Sequence, residues 1–366
     1  MQIMTGKTVL DAAIERINML FDKFEDIYVY TSGGKDSTVV FDLTRKIALE
    51  RGRKIGVYFL DQEFEWQATI DVVKRQMQEE GVIPFWYQVP LKMYNASSNI
   101  EPFVHIWDES RKDKWMRPHD ELAITEKYAD TDRFHPSLDA FLPYRKRQTG
   151  LTTCGIGGVR ANESLSRIRA TTVGETVDGI TWGKKAKDET YSFYPIYDWN
   201  YTDVWKYIND NGLYYNAIYD RMYQLGTNIT NMRISNLIHE FTLANTDDIQ
   251  ILEAETYNKM LNALEGVSCT SHFGEDFMPD ELPDVFMSWK EYRDYLLEAL
   301  IDPQYRDGFR KVWEKQPHQN EIYYRYNVIE VLRADVTHTV HKDLTLVNGA
   351  RRMRTDAEKK KRGMKP

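Results

Sequence analysis

The chain carries a glycine-rich loop that joins a predicted strand to a predicted helix. Residues Ser32–Ser37 read S-G-G-K-D-S, after the apolar run Ile27–Tyr30 and before an apolar-periodic stretch that begins at Thr38. Paired glycines let the backbone approach an anion closely, and the N–H groups at a new helix start point toward that anion. The hydroxyls and the Lys35 side chain add donors and positive charge. The sequence therefore predicts a phosphate-binding loop at a strand-to-helix turn.

The loop alone leaves two interpretations open. It is not the usual P-loop, because the pattern Gly-x-x-x-x-Gly-Lys-Ser/Thr is absent from it. Clusters of serine, glycine and aspartate also form ordinary turns that bind nothing. Motifs further along the chain are needed to choose between a phosphate loop and a plain turn.

Apolar patterning around the loop alternates between helices and strands. We predict helices over 8–24, 36–51 and 67–80, and strands over 27–30, 55–60 and 82–89. Strands and helices that alternate at this spacing are typical of parallel βαβ units with helices on both faces of the sheet. Ligands of such sheets bind beyond the carboxyl ends of the strands, where the glycine loop and Asp61 fall.

A charged and aromatic segment, Lys92–Arg147, interrupts this alternation. Its Trp107, Trp115 and Tyr144 either cover a ligand site or pack against one another, and the second alternative is favoured. A strand over 151–156, a helix over 158–169 and a last strand over 192–196 follow it. The sequence thus predicts a parallel, five-stranded Rossmann-like sheet.

The order of elements also predicts three regions. We expect a nucleotide-binding domain over 1–225 with an insertion at about 92–147, a mainly helical domain over 226–345, and a basic tail over 346–366. No internal repeat is present in the sequence.

A second polar cluster lies on the predicted helix that follows the fourth strand. Gly158–Arg169 reads G-V-R-A-N-E-S-L-S-R-I-R, so Arg160, Glu163 and Arg167 lie three and four residues apart and share one helix face. Two guanidiniums with a carboxylate that orients them suit a phosphate or a sulfate. The same spacing also occurs in solvated ion-pair ladders, and that alternative stays open.

The cysteine content argues against disulfide and metal frameworks. Cys154 and Cys269 are the only cysteines and stand outside any C-x-x-C pair, so we predict no metal ligands and a reducing compartment. Cys154 is predicted to be a core residue. Cys269, three residues before His272, is the more reactive candidate, although a structural role is favoured for it too.

The remaining composition fits a cytoplasmic protein without membrane contact. No stretch approaches the roughly 18 apolar residues that a membrane helix needs, and the first residues have no signal-peptide core. Residues 351–366 carry a net charge of +6 and the other 350 residues carry −14. Such a tail either contacts nucleic acid such as DNA or stays solvated, and the solvated tail is favoured.

Four ordered motifs resemble those of the phosphoadenosine phosphosulfate (PAPS) reductase-like family, within the ATP pyrophosphatase superfamily. They span residues 28 to about 225 and read S-G-G-K-D-S at 32–37, Y-F-L-D-Q-E at 58–63, G-V-R-A-N-E-S-L-S-R at 158–167, and Y-P-I-Y-D-W-N-Y-T-D-V-W at 194–205. The resemblance implies a HUP-type sheet that binds ATP or a related adenine nucleotide, with Mg²⁺ carried by the nucleotide.

The resemblance also implies a role for individual residues. The loop residues would hold the phosphates, and the end of the second strand would lie near adenine and ribose. The implied nucleotide-binding residues are Ser32, Gly33, Gly34, Lys35, Asp36, Ser37, Leu60, Asp61, Gly158, Arg160 and Glu163. The implied catalytic residues, which would stabilise charge at the α-phosphate, are Lys35, Asp36, Arg160 and Arg167.

The chain departs from the family's reductases in its cysteines. Those enzymes use a cysteine in a C-terminal Glu-Cys-Gly-(Ile/Leu)-His motif, and many carry paired cysteines for an iron–sulfur cluster; this sequence has neither. Attack on a sulfonyl group needs a positioned thiolate. We therefore predict an ATP α–β phosphate-cleaving enzyme that adenylates an acceptor and releases pyrophosphate, and not a PAPS reductase.

A regulatory function is the alternative. The motifs look closest to the phage and prophage subgroup typified by immunoglobulin-binding regulator A, a co-activator found with a ParB-like partner. On that comparison the protein would bind ATP without turnover and dock a ParB-like protein or DNA. The sequence names neither the acceptor nor the partner, and homo-oligomerisation stays open.

Overall fold

The chain divides into two structural units. The structure is a computed structural model, and it describes residues 6–95, 103–163, 167, 171, 177–229, 232–238, 246–264, 281–301, 303–315 and 319–337. Unit 1 comprises Met1–Met93, His105–Asn236 and Gln250–Thr256, and unit 2 comprises Tyr94–Val104, Leu237–Ile249 and Tyr257–Pro366. The domain boundaries predicted after residues 225 and 345 remain predictions.

A mostly parallel sheet forms the centre of unit 1. Its strands are β1 (Asp26–Tyr30), β2 (Ile55–Leu60), β3 (Val82–Tyr87), β6 (Ala123–Ile124), β7 (Thr153–Gly157), β8 (Gly183–Lys185) and β9 (Tyr191–Phe193). They are ordered β6-β3-β2-β1-β7-β9-β8, and β4 (Leu91–Tyr94) and β5 (Phe103–Ile106) form a separate two-stranded sheet. All neighbours in the large sheet are parallel except β8 and β9.

The α/β class with a mostly parallel sheet is therefore confirmed, but the predicted count of five strands is wrong, because the described residues contribute seven strands to the sheet. The two additional strands lie at its edges. β6 is only two residues long, and β8 reads Gly-Lys-Lys, without the apolar run that marks a buried strand. Neither segment has a pattern that sequence analysis could recognise.

Eleven helices are present among the described residues. They are α1 (Val9–Lys23), α2 (Lys35–Glu50), α3 (Gln67–Met77), α4 (Phe134–Thr149), α5 (Tyr201–Asp210), α6 (Ile218–Gln224), α7 (Thr246–Leu252), α8 (Ala254–Ala263), α9 (Trp289–Leu300), α10 (Pro303–Glu314) and α11 (Glu321–Thr337). Short 3-10 turns occur at Glu109–Lys114, Ala161–Glu163 and Lys187–Glu189. The helix predicted over 158–169 begins as such a turn, and 164–166 and 168–170 lie outside the described residues.

Helices cover both faces of the sheet, as predicted. Ile27 and Val29 of β1 belong to the core that includes residues of α1, α2 and α3. Between them, Tyr28 turns to the other face, where its ring centroid lies 5.0 Å from that of Phe141 of α4. Tyr58 of β2 contacts the same phenylalanine at 4.0 Å. This alternation follows from the two-residue period of a strand.

Local capping sets several of these helix boundaries. The Thr8 hydroxyl accepts a hydrogen bond from Asp11 N at 3.1 Å, which satisfies an N–H group of the first turn of α1. Asn200 and Asp203 form a capping box at the start of α5. α4 ends at Gly150, whose φ of +71° is the left-handed conformation that glycine adopts most readily.

The described C-terminal part is helical, as predicted. In unit 2, side chains of α9, α10 and α11 form one core, including Leu297, Phe309, Trp313, Val328 and Val331. Within the described ranges, no helix is long and apolar enough to cross a membrane. Cys269, His272 and the basic tail lie outside the described residues.

Candidate functional site

The glycine loop lies at the carboxyl end of β1 and leads into α2. Gly33 has a φ of +64°, and a Cβ on it would lie 2.9 Å from the Thr69 Cγ2 atom and 3.0 Å from the Thr69 carbonyl. Both the conformation and the space therefore require glycine there. Gly34 is the N-cap residue of α2 and has no side chain that could cap it. The first amides of α2 are thus suited to an anion.

The loop hydroxyls are arranged around these glycines. Ser32 is exposed, and its N–H donates to Ser37 Oγ at 3.3 Å. Ser37 is buried and donates to the Gly34 carbonyl at 2.9 Å. The Tyr219 hydroxyl of α6 accepts from Lys35 N at 3.3 Å. Of the two predicted phosphate-binding serines, Ser32 is the one with a side chain open to a ligand.

A buried ion-pair network joins the loop to the arginine motif. Lys35 and Arg160 are each only 5% exposed. The Asp36 carboxylate lies 3.2 Å from Lys35 Nζ and accepts a hydrogen bond from Arg160 Nε. Glu163 accepts from Arg160 Nη2 at 3.2 Å and pairs with Arg167. Since Arg160 is buried against the loop aspartate, a solvated ladder does not describe its contacts, whereas the Arg167 side chain is 43% exposed.

Gly158 lets the two motifs approach each other. It follows β7, and a Cβ on it would lie 2.7 Å from the Asp36 carbonyl and from Ser37 N. Real Cβ atoms do not approach backbone atoms so closely. The β7 end and the start of α2 are therefore in backbone contact, which any larger residue at position 158 would prevent.

The end of β2 carries a fully paired aspartate. Leu60 is buried and Asp61 is 0% exposed. The Asp61 carboxylate accepts hydrogen bonds from four donors: Glu63 N at 2.8 Å, Trp86 Nε1 at 2.8 Å, Gln88 Nε2 at 2.9 Å, and Arg117 Nη2. A carboxylate has about four acceptor positions, so all of them are occupied. The location of Leu60 and Asp61 near adenine and ribose stays a prediction, and any ribose contact of this side chain would displace a protein donor.

The insertion packs over the same strand end. Trp107 donates from Nε1 to the Asp61 carbonyl at 2.9 Å and from its backbone N to Glu63 Oε2 at 2.7 Å. Its ring lies 5.4 Å from that of Trp115. The Tyr144 ring packs against a different residue, with its centroid 5.6 Å from that of the Tyr128 ring. The two tryptophans therefore pack against each other, as the favoured alternative has it, and Trp107 also lies over the β2 end. That the segment covers a ligand site stays a prediction.

Two buried glutamates follow Asp61. Burial raises the pKa of Glu63 to about 7 and that of Glu65 to about 8. Glu63 also has a φ of +64°, and its carbonyl accepts from Arg117 Nη1 at 2.5 Å. The Glu65 carboxyl accepts from Gln62 Nε2 at 3.3 Å, a weaker contact. Near neutral pH, ionisation of Glu65 therefore opposes folding.

We expect Glu65→Gln to stabilise the protein more at pH 8.5 than at pH 5.5. The folded state holds the Glu65 proton up to about pH 8, whereas the unfolded state loses it near the ordinary glutamate pKa, so this group lowers stability as the pH rises between the two values. Glutamine does not ionise, so the variant lacks this dependence on pH. The melting temperature difference between variant and wild type should grow by at least about 2 to 4 °C over that range. Exposed Glu50→Gln is the control, and an equal difference at both pH values would contradict the assignment.

A ring of hydrogen bonds behind the loop connects it to α3. Gly33 N donates to Thr31 Oγ1 at 3.3 Å, and Thr31 Oγ1 donates to Gln76 Oε1 at 2.6 Å. Gln76 Nε2 donates to Thr38 Oγ1 at 3.2 Å, and Thr38 Oγ1 donates to the Gly34 carbonyl at 2.9 Å. All three side chains are buried. The side-chain amide of Gln76 thus connects Thr31, before the loop, with Thr38, after it.

A segment after α6, residues 232–236, crosses the same edge of unit 1, and we call it the strap. It contacts residues that follow β1, β2 and β7, so it links three strand ends. Its hydrogen bonds to these residues include Lys35 Nζ to the Met232 carbonyl at 3.3 Å, Arg233 Nη2 to the Glu163 carbonyl at 2.5 Å, Trp66 Nε1 to the Ser235 carbonyl at 2.9 Å, and Asn236 Nδ2 to Gln62 Oε1 at 2.5 Å.

Gln76, Tyr219 and Arg233 also lie at this site and were not predicted from the sequence. Gln76 lies within the predicted helical stretch 67–80, and nothing in that pattern marks it as a contact of the loop. Arg233 lies in the strap, which has neither strand nor helix periodicity. Only the three-dimensional contacts connect these residues with the loop.

No protein-built metal or thiolate centre occurs in the part of the chain that the structure describes. That part contains no group of three or more His, Cys, Asp or Glu side chains able to hold a metal ion. Cys154 is 0% exposed in β7, as predicted for a core residue. Burial raises the pKa of its thiol well above the usual value, so it stays protonated.

A parallel α/β sheet, a glycine loop at a helix N-terminus and buried cations at one edge define the chain as a nucleotide-binding α/β protein. The phosphoadenosine phosphosulfate reductase domain model matches residues 26–227, and the chain belongs to this family.

The chain is also similar to the following known proteins. Escherichia coli K12 YbdN is 30% identical over 311 residues, which is 80% of this chain and 75% of that protein. Adenosine 5'-phosphosulfate reductase of Oceanobacillus iheyensis is 21% identical over 202 residues, covering 54% of this chain and 68% of that protein. The Candida auris PAPS reductase structure, a phosphate complex, is 15% identical with a TM-score of 0.33, covering 62% of this chain and 88% of that one.

Proposed function

We propose that the protein binds ATP at the carboxyl edge of the unit 1 sheet and cleaves it between the α- and β-phosphates. An acceptor nucleophile would attack the α-phosphorus and form the new bond to AMP. The bond from the α-phosphorus to the bridging oxygen would break, and pyrophosphate would leave with the electron pair. The observation that carries the proposal is the network of Lys35, Asp36, Arg160, Glu163 and Arg167 around the glycine loop.

The loop and the network would act at different stages of this reaction. The first amides of α2, next to Gly33 and Gly34, would bind phosphate oxygens in the ground state. Lys35 would contact phosphate oxygens in both stages, and Arg160 would stabilise the charge that builds as pyrophosphate departs. Asp36 contacts both cations and so orients them before the reaction. Such an arrangement needs little reorganisation when charge develops.

Mg²⁺ would enter this site with the nucleotide. Magnesium in nucleotide enzymes is usually held by one or two carboxylates together with substrate phosphates and water. Asp36 and Glu163 are the carboxylates of the network, and both are already paired with cations. The donor set therefore fits an ion that the phosphates bring with them, where it would neutralise their charge.

Reduction of PAPS is not part of the proposal. The sequence lacks the Glu-Cys-Gly-(Ile/Leu)-His motif that the resemblance associates with that reaction. Cys154 is buried and its pKa is raised, so it does not supply the thiolate that attack on sulfur needs.

A regulatory function without turnover is the alternative proposal. It would match the subgroup of immunoglobulin-binding regulator A, with a ParB-like protein or DNA as the docking partner and the basic tail, 351–366, as the DNA contact. The buried charge network favours the enzyme, because ground-state binding alone does not require cations placed for a leaving group. Turnover therefore separates the two proposals.

Wild-type protein is expected to release pyrophosphate from ATP and to catalyse ATP–pyrophosphate exchange once a suitable acceptor, DNA included, is supplied. Lys35→Ala should weaken ATP binding at least tenfold, about 1.4 kcal/mol. Lys206, whose side chain is 75% exposed on α5, provides the control Lys206→Ala, which should bind ATP normally. Calorimetry measures binding, and labelled pyrophosphate measures exchange. Tight ATP binding with no turnover under any acceptor would reject the enzyme and favour the regulatory module.

A further inference from the structure

Arg233 differs from the other cations of the site in its pairing. Lys35, Arg160 and Arg167 each lie within ion-pair distance of Asp36 or Glu163. Arg233 is exposed, and among the described residues no carboxylate lies within 4.0 Å of its guanidinium. Its one described hydrogen bond goes to a backbone carbonyl, that of Glu163. Within the described part of the site, its positive charge is therefore held without a carboxylate partner.

We infer that Arg233 is an anion-binding residue of the nucleotide site and that it contacts the pyrophosphate group as that group leaves. The inference rests on the proposed cleavage between the α- and β-phosphates. The inference adds a cation from the strap to those of the loop and the arginine motif. The strap lies outside the four sequence motifs.

The strap fixes the position of Arg233. On one side of it, the Met232 carbonyl accepts from Lys35 Nζ, and Met232 itself is 3% exposed. On the other side, Ser235 and Asn236 are hydrogen-bonded to residues that follow β2. The Arg233 backbone is thus held between the phosphate loop and the β2 end, and its side chain reaches the β7 side. A residue anchored in this way loses little further freedom when it binds an anion.

The charges of the site also favour a multiply charged anion. Lys35, Arg160 and Arg167 lie close to Asp36 or Glu163, and Arg233 adds a further positive charge that has no carboxylate within ion-pair distance among the described residues. A guanidinium has five N–H donors in a planar fork, and Arg233 uses one of them for the Glu163 carbonyl. The remaining donors can bind two oxygens of a phosphate together.

Inorganic pyrophosphate and AMP are the probes that test this assignment. Arg233→Ala should weaken pyrophosphate binding by about tenfold or more, as expected for loss of a charge-assisted contact, and should change AMP affinity less than about twofold. Arg233→Lys keeps the charge without the fork and should lose an intermediate amount. Arg147→Ala, a change at an exposed arginine paired with Asp188, is the matched control. Calorimetry measures each affinity, and melting temperatures show that the strap stays folded.

Each outcome decides the inference. Unchanged pyrophosphate binding in Arg233→Ala, with tight binding by wild type, would overturn the role of Arg233 and leave the proposed cleavage intact. Equal losses for AMP and pyrophosphate would assign Arg233 to strap stability and also overturn the inference. Wild-type protein that binds neither ATP nor pyrophosphate would overturn the proposed function together with it.

Discussion

Replacing Arg160 by alanine is expected to lower turnover by about 10²- to 10³-fold, the usual effect of removing one group that stabilises transition-state charge. Nucleotide affinity should fall much less, because the α2 amides and Lys35 remain in place to hold the phosphates. Arg160 is buried and contacts both Asp36 and Glu163, so its guanidinium is held in position before charge develops at the α-phosphate. The split between turnover and binding distinguishes a catalytic group from a simple binding group.

Two further variants make this measurement decisive. Arg160→Lys keeps a charge but cannot contact Asp36 and Glu163 through one planar fork, so it should restore only part of the turnover. Arg147→Ala tests the loss of an exposed arginine and should leave both quantities unchanged. Losing one member of a buried charge pair can cost about 3–5 kcal/mol of stability, so the melting temperature of each variant is needed. Equal losses in kcat/KM and in nucleotide affinity would assign Arg160 to binding.

Local sequence signals located the parts of this site that lie within a single segment. The glycine loop is such a case, because its paired glycines, hydroxyls and following helix are neighbours in the chain. The strands β1 and β2 are another, since continuous apolar runs mark strands that are buried on both faces. β3 has the same kind of run, although its first residues are partly exposed. The edge strands β6 and β8 carried no such pattern, which explains why the predicted sheet had too few strands.

These local signals could not predict contacts between segments that are far apart in the sequence. The Arg160–Asp36 pair joins residues 124 positions apart, and only the resemblance to a family brought the two motifs to one site. For Asp61, the sequence predicted the position but not the contacts. Its position at a strand end was predicted, but its partners Trp86, Gln88 and Arg117 come from later segments. The sequence therefore could not show that this carboxylate is already fully hydrogen-bonded.

Replacing Gln76 should disrupt the glycine loop, although Gln76 belongs to α3 and not to the loop itself. Gln76 accepts from Thr31 and donates to Thr38, and these threonines contact Gly33 and Gly34 of the loop. Gln76→Leu would leave both hydroxyls without their partner in a buried position, at a cost of about 1–3 kcal/mol for each unsatisfied group. We expect ATP affinity to fall by roughly 10²-fold, because a loop that changes shape no longer presents its amides together.

Gln76→Glu distinguishes a specific hydrogen-bonding role of Gln76 from a general destabilisation of the loop. A protonated glutamic acid has one donor and one acceptor, so it can replace the amide in the ring, whereas a carboxylate can only accept and leaves Thr38 without its donor. Burial raises the pKa of such a group, so the protonated form should persist toward neutral pH. The ATP affinity of this variant relative to wild type should therefore recover as the pH falls from 8 to 6. Exposed Gln78→Glu, two residues further along, is the matched control and should follow wild type throughout. If Gln76→Glu also follows wild type at every pH, or if Gln76→Leu binds ATP normally, the ring does not position the loop.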